Sequence, residues 1–383
     1  MPSRSFDVAV IGAGVFGAWT AYWLRRAGMS VTLIDAHGPG NSRASSGGET
    51  RILRVGYGAD ELYSRWSLRA LGIWKQFAEE VGEPLFYPTG VLWLADDADE
   101  YTKQSYDTAK RARAKAEKLS AAEIAKRWPQ IAIDDVTWAS FEPGSGVLMA
   151  RRAVAAVVTN AEARGVIYAC ANVESGKLKG RVTSVNLRGT GSIKAGAFVF
   201  ACGPWLPSLF PDVLGKRMYI TRQEVLFFGV PAGESAFRMP NLPTWLRHRD
   251  DFYGMPDIES RGLKLSCDRH GPAFDPETGS RVPSAEGVEQ ARQYLSRRFP
   301  KMAGAPVVEA RVCQYENSSN GDFILDRHPD CENVWIAGGG SGHGFKHGPV
   351  VGEYCAALVR GDVEPERRFS IESKPLAQNR QVY

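Results

Sequence analysis

A glycine-rich motif near the start of the chain has the spacing of a dinucleotide-binding loop. Gly12, Gly14 and Gly17 form a G-x-G-x-x-G pattern directly after the β-prone run 6–11. The first glycine permits a tight turn, the second lets the backbone approach a pyrophosphate, and the third lets a helix pack closely on the strand. Asp35 ends a second predicted strand, where its carboxylate can accept a hydrogen bond from a ribose hydroxyl and disfavours NADP. The motif alone does not separate NAD from FAD, and a glycine-rich turn without a ligand is the alternative.

A second glycine-rich loop near the other end of the chain favours FAD. Residues 338–344 follow a predicted buried strand, 334–337, and precede a predicted helix, 349–359. NAD makes most of its contacts within one βαβ unit, whereas FAD offers a pyrophosphate to the first loop and the edge of its ring to the second. The strand and turn 198–205 could also return to the pyrophosphate, although an ordinary strand-to-loop junction is the alternative.

The elements around these loops predict an α/β fold in two parts. A helix over 18–26 and a strand over 30–34 complete a βαβ unit, and strands spaced along the middle of the chain predict a second, mainly antiparallel sheet. Helices are predicted at 101–119, 121–128, 149–165 and 287–299. We therefore predict a Rossmann-type FAD-binding domain with an inserted α+β substrate or cap domain. The first comprises residues 1–85, 150–215 and 310–383, and the second comprises residues 86–149 and 216–309.

Composition excludes several classes of protein. The 383 residues are 44% hydrophobic and 23% charged, which is ordinary for a globular chain and excludes collagen-like, disordered and disulfide-scaffold proteins. The net charge of +4 without long runs of like charge does not favour nucleic-acid binding. The six cysteines lie far apart without a CxxC pair, so neither a metal site nor a secreted disulfide framework is expected. No apolar stretch is long enough to span a membrane, and we expect a cytoplasmic protein.

Five ordered segments make the chain similar to the D-amino acid oxidase superfamily, and within it to the monomeric sarcosine oxidase family. They are 10–17 with Asp35, 48–54 with 57–58, 262–265, 311–315, and 322–326 leading into 341–346. The resemblance covers nearly the whole chain. It implies an FAD-dependent oxidase of a secondary or substituted amino acid, in which a hydride passes from the C–H next to nitrogen to flavin N5. Reoxidation by O2 would give H2O2, and the imine product would hydrolyse. The family habit also implies a monomer.

The resemblance implies roles for the residues that match the motifs of the family. Cys313 matches the cysteine that forms a thioether with the flavin ring, which implies covalently attached FAD. Arg51 matches an arginine packed against the flavin, and Lys264 matches the lysine near flavin N5 to which oxygen activation is assigned. Arg54 and Lys346 match the pair that holds the substrate carboxylate.

The remaining predicted site residues surround the same places. Tyr253 and Tyr315 match tyrosines that line the substrate cavity, and with Lys264, Arg51 and His343 they form the predicted catalytic set. Further cofactor contacts are predicted, besides the residues already named, at Val15, Phe16, Ala36, Ser45, Thr50, Val173, Cys202, Gly203, Trp205, Gly340, Gly342, His343, Gly344 and Lys346.

Two departures from the family pattern bear on the substrate. Sarcosine-specific members carry histidines before the Gly-acid-Thr-Arg motif, where this chain has Ala-Ser-Ser-Gly at 44–47. Their histidine four residues past the lysine is replaced by Asp268, which would repel a carboxylate but could bind a second amine or a polar substituent. We therefore expect a small anionic amine that is larger than sarcosine or differently charged.

Other functions for the protein, and purely structural roles for the named residues, stay open. A dehydrogenase that passes electrons to a quinone or carrier is the first alternative, although a cation beside N5 favours an oxidase. A flavin-binding module without turnover is the second, and an NAD-dependent dehydrogenase is the third. Read alone, Cys313 is an inert buried thiol, Arg51 and Arg54 are solvated loop charges, and Lys264 is a lysine on an edge strand.

Overall fold

The computed structural model describes residues 5–174, 176–189 and 191–378, and three β-sheets with surrounding helices form its architecture. The predicted α/β class, with a Rossmann-type part and a mainly antiparallel second sheet, is confirmed. Residues 1–4 and 379–383, at the ends of the predicted FAD-binding domain, lie outside the described residues. None of the described helices is long and apolar enough to cross a membrane.

The strands and helices of the described chain have the following bounds. The strands are β1 (Ser5–Ile11), β2 (Val31–Asp35), β3 (Thr50–Leu53), β4 (Phe86–Tyr87), β5 (Val91–Ala95), β6 (Glu117–Ser120), β7 (Trp138–Glu142), β8 (Gly146–Met149), β9 (Ile167–Cys170), β10 (Ser184–Leu187), β11 (Gly191–Phe200), β12 (Met218–Phe228), β13 (Thr244–Arg247), β14 (Phe252–Met255), β15 (Leu263–Cys267), β16 (Val307–Ser318), β17 (Ile324–Arg327) and β18 (Val334–Gly338). The helices are α1 (Val15–Arg26), α2 (Glu61–Val81), α3 (Glu100–Arg111), α4 (Ala121–Arg127), α5 (Ala150–Ala163), α6 (Leu206–Leu209), α7 (Pro211–Leu214), α8 (Ala285–Arg298) and α9 (Gly348–Arg360).

The first sheet contains the predicted βαβ unit. Its order is β17-β18-β11-β1-β2-β9, with β10 antiparallel to β11, and β1 runs parallel to both β2 and β11. Helix α1 leaves the carboxyl end of β1 and packs on α9 across the fully buried Trp19. Gly352 permits this approach, because a Cβ there would lie 2.5 Å from the Trp19 backbone.

The second sheet carries residues of the predicted substrate site. Its order is β16-β12-β15-β14-β13-β5-β7-β6, and every neighbouring pair is antiparallel except β13 with β5. Strand β15, which carries Lys264, lies between β12 and β14. The alternative of an edge-strand lysine is therefore wrong. Strands β3, β8 and β4 form a small third sheet.

The sheets use different stretches of chain. The strands of the first sheet fall within 5–35, 167–200 and 324–338, all inside the predicted FAD-binding segments. The second sheet uses strands from the predicted cap segments, but most of β16 belongs to the segment assigned to FAD binding. The boundaries of the two domains stay a prediction.

The helices differ most from the sequence prediction at two places. The helix predicted over 101–119 ends at Arg111, since Arg113 adopts the left-handed conformation with φ 62° and residues 117–120 pair with β7. The Ala-, Lys- and Glu-rich composition favours helix, but strand pairing and the burial of Leu119 prevail there. The long helix α2 was not predicted, although Asp60 caps its first turn and Gly82, with φ 68°, ends it.

Gly17→Ala should separate α1 from the end of β1. A Cβ at residue 17 would lie 1.8 Å from the Gly12 carbonyl oxygen, so we expect the free energy of unfolding to fall by about 2 kcal/mol and bound FAD to decrease. Gly72→Ala is the matched control, because its Cβ would meet no heavy atom within 4 Å and should stabilise α2 by about 0.5–1 kcal/mol. Urea unfolding of both variants measures the difference. Equal stabilities would contradict this account of the glycine.

Candidate active site

A cavity of about 660 Å³ lies beyond the carboxyl ends of the first sheet's parallel strands. Such crevices are the usual ligand sites of open α/β sheets, and this volume is in the range of cofactor sites. The cavity extends from Asp35 at the end of β2, past Gly12 and Gly14, to Cys313 and the loop 340–345. It therefore joins the two glycine-rich loops that the sequence singles out.

The first glycine-rich loop lines the cavity and packs so closely on the turn after β11 that a side chain at Gly12 would not fit. Gly12 has a φ of 102°, and a Cβ there would lie 2.3 Å from the carbonyl oxygen of Ala201. The first helical N–H group, on Val15, donates a hydrogen bond to Ser46 Oγ at 3.1 Å. Ser46 was not predicted, although it stands in the Ser-Ser-Gly-Gly run that includes the predicted Ser45. The loop backbone can thus approach a ligand directly.

Asp35 is fixed at the wall of the same cavity by two backbone groups. Its Oδ2 accepts the N–H of Ala13 and its Oδ1 accepts the N–H of His37, each at 2.8 Å. Each carboxylate oxygen keeps a further lone pair for a ribose hydroxyl. The geometry is compatible with the role predicted for this residue.

Several polar atoms along the cavity lack a partner within the described chain. Ser45 Oγ, Gln314 Oε1 and Glu316 Oε2 are buried without a hydrogen bond, and all three residues line the cavity. Buried polar groups are normally paired, since leaving one unpaired costs about 1–3 kcal/mol. Ligand hydroxyl groups would donate to Gln314 Oε1 and Glu316 Oε2, and a hydroxyl or phosphate oxygen would accept from Ser45 Oγ, so the residues present fit FAD.

A second cavity of about 60 Å³ shares Arg51, Tyr315, Gly342 and Phe345 with the wall of the first. All residues predicted to bind the substrate or to take part in catalysis line this small cavity. They are Arg51, Arg54, Tyr253, Lys264, Asp268, Tyr315, His343 and Lys346. Elements distant in sequence thus bring one set of cations, tyrosines and a carboxyl to a single place.

Two buried cations, Arg54 and Lys346, both contact the ring of Tyr57 and both line the small cavity. The Arg54 guanidinium lies 4.5 Å from the centroid of Tyr57 and 4.8 Å from that of Trp93, and it donates to the Gly56 carbonyl. The Lys346 ammonium lies 4.9 Å from the Tyr57 centroid and donates to the His343 carbonyl at 3.1 Å. Burial and the nearby Arg54 charge hold the pKa of Lys346 well below its usual value. A carboxylate between them would stabilise both charges.

Lys264 and Arg51 share a backbone acceptor. Lys264 Nζ donates to the Thr50 carbonyl at 2.9 Å, and Arg51 Nη1 donates to the same oxygen at 2.8 Å. Burial, with the Arg51 charge, lowers the pKa of Lys264 well below its usual value. Gly48 leaves room for this arrangement, because a Cβ there would lie 2.2 Å from Arg51 Nη1. The shared carbonyl holds Lys264, on the small cavity, beside Arg51, which lines both cavities.

Cys313 combines a core contact with a place on the cavity wall. It packs in a small apolar cluster with Val225 and Phe227, as an inert buried thiol would. Its Sγ also lies 3.6 Å from Arg51 Nη2, and the residue lines the large cavity. The thiol is therefore close both to the predicted flavin-contacting arginine and to the cavity that fits FAD.

Asp268 and Tyr315 form a hydrogen-bonded pair on the small cavity. The Tyr315 hydroxyl donates to Asp268 Oδ1 at 2.7 Å. Desolvation in the pocket raises the pKa of Asp268 to about 6, although Tyr315, Arg54 and Lys346 act in the opposite direction. Burial, with the adjacent carboxyl, raises the pKa of Tyr315 well above its usual value. This carboxyl can change its charge near neutral pH.

His343 is held by hydrogen bonds within the protein. Its Nδ1 lies 3.2 Å from the Tyr57 hydroxyl, its Nε2 lies 3.1 Å from the Gly321 carbonyl, and its ring stacks on Phe323 at 4.9 Å. The Tyr57 hydroxyl also lies 2.8 Å from His347 Nε2. These contacts fix the tyrosine ring that Arg54 and Lys346 both contact, a part of the site that was not predicted.

A few predicted cofactor contacts lie off the large cavity. Gly17 packs α1 on the Gly12 backbone, and Thr50 lies behind the cavity with a buried Oγ1 that has no partner among the described residues. His343 and Lys346 line the small cavity instead. The other predicted contacts line the large cavity. In the part of the chain that the structure describes, no cluster of three or more His, Cys, Asp or Glu could hold a metal ion.

Known proteins resemble this chain over nearly its whole length. The family model DAO, described as FAD dependent oxidoreductase, matches residues 7–358. A monomeric sarcosine oxidase of Arthrobacter sp. (strain TE1826) is 31% identical over 395 residues, covering 99% of each chain. An N-methyl-L-tryptophan oxidase of Yersinia pestis (strain Pestoides F) is 30% identical over 367 residues, covering 94% of this chain and 96% of that protein. The crystal structure of an L-proline dehydrogenase from P.horikoshii has the same fold, with a TM-score of 0.83, 22% identity and coverage of 97% and 98%.

Asp268→Asn should alter how pH affects the binding of a simple carboxylate such as propionate. Because the pKa of Asp268 is about 6, its carboxyl is neutral below that pH and ionised above it, where it competes with propionate for Arg54 and Lys346. We expect the affinity of the unmodified protein to fall roughly tenfold as pH rises through this range, and that of the variant to stay nearly constant. Calorimetric titration, corrected for the ionised fraction of propionate, measures both. Parallel curves would show that Asp268 does not govern anion binding.

Proposed function

The chain belongs to the DAO family of FAD-dependent oxidoreductases, which confirms the resemblance found in the sequence. On this premise we propose that the protein oxidises a secondary or substituted amino acid with O2 as the electron acceptor. One observation carries the proposal. The buried Arg54 and Lys346 line a small cavity that shares its wall with the cavity fitting FAD. A substrate carboxylate held there would place the adjacent carbon at the boundary of the two cavities.

The names of the relatives support an N-alkylated amino acid. Sarcosine and N-methyltryptophan each contain a carboxylate and a secondary amine, and both relatives are about 30% identical to this chain. Asp268 adds a single carboxyl to the cation-lined cavity, which favours a substrate with a further hydrogen-bond donor or positive group. The volume of about 60 Å³ is well below that of typical ligand sites, so binding a larger substrate requires wall side chains to move.

In the proposed mechanism, the chain's own residues orient the substrate and adjust its protonation. Arg54 and Lys346 bind the carboxylate, so the binding energy aligns the C–H bond next to nitrogen. When bound, FAD would accept a hydride equivalent from that carbon and pass two electrons to O2, giving H2O2 and an imine that hydrolyses. The substrate amine must be neutral, and lowering its pKa from about 10 to about 7 costs roughly 4 kcal/mol. The surrounding cations favour the neutral amine, and the second oxygen of Asp268 can accept its proton.

Lys264 supports O2 as the acceptor. Its buried amine nitrogen lies on the small cavity, where it shares the Thr50 carbonyl with Arg51, and in its protonated form it would stabilise the negative charge that develops on oxygen during reduction. A dehydrogenase that delivers electrons to a quinone or carrier would gain nothing from this cation. We therefore rank the dehydrogenase second, after the oxidase. Membership in a family of oxidoreductases disfavours a flavin-binding module without turnover.

We also propose that Cys313 attaches FAD covalently through its Sγ. The S–C bond would replace the thiol S–H bond and one C–H bond of the flavin, and the two electrons released would reduce the flavin, which O2 would reoxidise. The thiol lines the large cavity close to Arg51, and Cys313 matches the position of the flavin-linked cysteine in the family motif. The six cysteines are all free, in keeping with the cytoplasmic location we propose, and a monomer is the oligomeric state we propose.

Lys264→Met should slow oxygen reduction much more than substrate oxidation. Losing the charge proposed to stabilise reduced oxygen should lower kcat/KM for O2 about 100-fold, whereas anaerobic bleaching of the flavin by substrate should change only a few-fold. A panel of N-methyl and cyclic amino acids, followed by peroxidase-coupled H2O2 detection and stopped-flow absorbance, identifies the substrate and measures both steps. Lys264→Arg, which keeps the charge, is the control. Turnover that requires a quinone and gives no H2O2 would favour the dehydrogenase.

Cys313→Ser should leave FAD without a covalent bond. After denaturation, mass spectrometry of the unmodified protein should find the mass of FAD on the peptide containing Cys313, and the variant should release all its flavin into solution. Cys170→Ser is the matched control, because Cys170 is exposed and should not affect attachment. Flavin that stays attached in the Cys313 variant, or that is free in the unmodified protein, would refute the linkage.

A further inference from the structure

Glu316 is a buried carboxyl on the wall of the large cavity to which neither the sequence nor the proposed function gives a role. It lies on β16 shortly after Cys313 and is 9% exposed. Its Oε1 accepts the N–H of Gly340 at 3.3 Å. Its Oε2 is buried and has no hydrogen-bond partner among the described residues. One oxygen thus supports the second glycine-rich loop, and the other is left for a ligand.

The carboxyl lies between the two glycine-rich loops. A Cβ on Gly203 would come within 2.5 Å of Glu316 Oε2, and the turn that contains Gly203 begins at Ala201, which contacts Gly12 of the first loop. On its other side, Gly340 binds Glu316 Oε1 and belongs to the second loop. In the orientation proposed above, the pyrophosphate of FAD lies at the first loop and the ring lies at the second. The ribityl chain, which carries hydroxyl groups, joins these two parts.

The charges around Glu316 favour a hydroxyl as its partner. Within the described chain no lysine, arginine or histidine forms an ion pair with this carboxyl. Burial raises its pKa to about 7, and the Gly340 N–H acts in the opposite direction. A phosphate would repel an ionised carboxylate, whereas a hydroxyl can donate to it or accept from its neutral form.

We infer that Glu316 binds a hydroxyl group of the ribityl chain of FAD through Oε2. The inference rests on the proposed function only in requiring FAD in the large cavity. A buried carboxyl that binds the middle of the cofactor would fix the ring relative to the pyrophosphate, and through it the ring's position beside Lys264 and the substrate cavity. Glu316 is thus a cofactor-positioning residue, and Gly203 is required because a side chain there would displace its carboxyl.

The test measures flavin affinity in the Cys313→Ser background, where no covalent bond can form. Protein freed of flavin is titrated with FAD and with FAD analogues that each lack one ribityl hydroxyl, and quenching of flavin fluorescence gives the dissociation constants. Glu316→Ala should weaken FAD binding roughly 10- to 100-fold. The analogue that lacks the hydroxyl bound by Glu316 should bind more weakly than FAD even when Glu316 is intact. Glu316→Ala should not weaken the binding of that analogue further. Glu316→Gln, which keeps the shape and one acceptor, should lie between.

Two results would overturn the inference. Glu316→Ala could leave FAD affinity unchanged, or it could weaken FAD and every analogue by the same factor, as expected if the carboxyl only supports Gly340. Thermal unfolding of the flavin-free variants detects a folding defect. The comparison of FAD with its analogues on each variant isolates the lost contact, because both ligands are measured on the same protein. Failure of the proposed function looks different: the flavin-loaded protein would release no H2O2 with any amino acid of the panel, while the effect of Glu316→Ala on FAD affinity would remain.

Discussion

Positive charge buried around one small cavity is the constraint on which the site depends. Arg54, Lys264 and Lys346 are 6%, 2% and 4% exposed, and removing such charges from water costs several kcal/mol each unless partners compensate. Each donates a hydrogen bond to a backbone carbonyl, on Gly56, Thr50 and His343 respectively. A carbonyl dipole compensates only part of the cost. A bound anion would compensate more of it, which favours the proposed substrate carboxylate and the negative charge that would form on reduced oxygen.

The three sheets make this arrangement possible by meeting at the cavity. The third sheet supplies Arg51 from β3, the second supplies Lys264 from β15 and Tyr315 from β16, and the loop after β18 of the first supplies Lys346. Because β15 and β16 are paired with β12, neither can shift alone. The strands thus hold the cations more rigidly than separate loops would, and the glycines of both loops leave a long cavity open beside them.

Local patterns made much of the site predictable from the sequence. The turn at Gly12, the close packing at Gly17 and the acid at Asp35 each depend on neighbours in one βαβ unit, so spacing alone indicated them. Contacts between distant elements gave no such signal: nothing in the sequence pairs Tyr57 with Arg54 and Lys346, or directs Glu316 toward Gly203. The error at 101–119 has the same origin, because helical composition says nothing of the strand pairing that ends the helix at Arg111.

The carboxylate requirement tests the central claim most directly. The measurement is the ratio of kcat/KM for the best N-methyl amino acid of a substrate panel to that for the amine left when its carboxyl group is removed. The account predicts a ratio of about 100 or more in the unmodified enzyme, since a charged pair of this kind contributes about 3 kcal/mol, and a ratio of only a few in Lys346→Met. A ratio near one in the unmodified enzyme, or one unchanged by Lys346→Met, would contradict it.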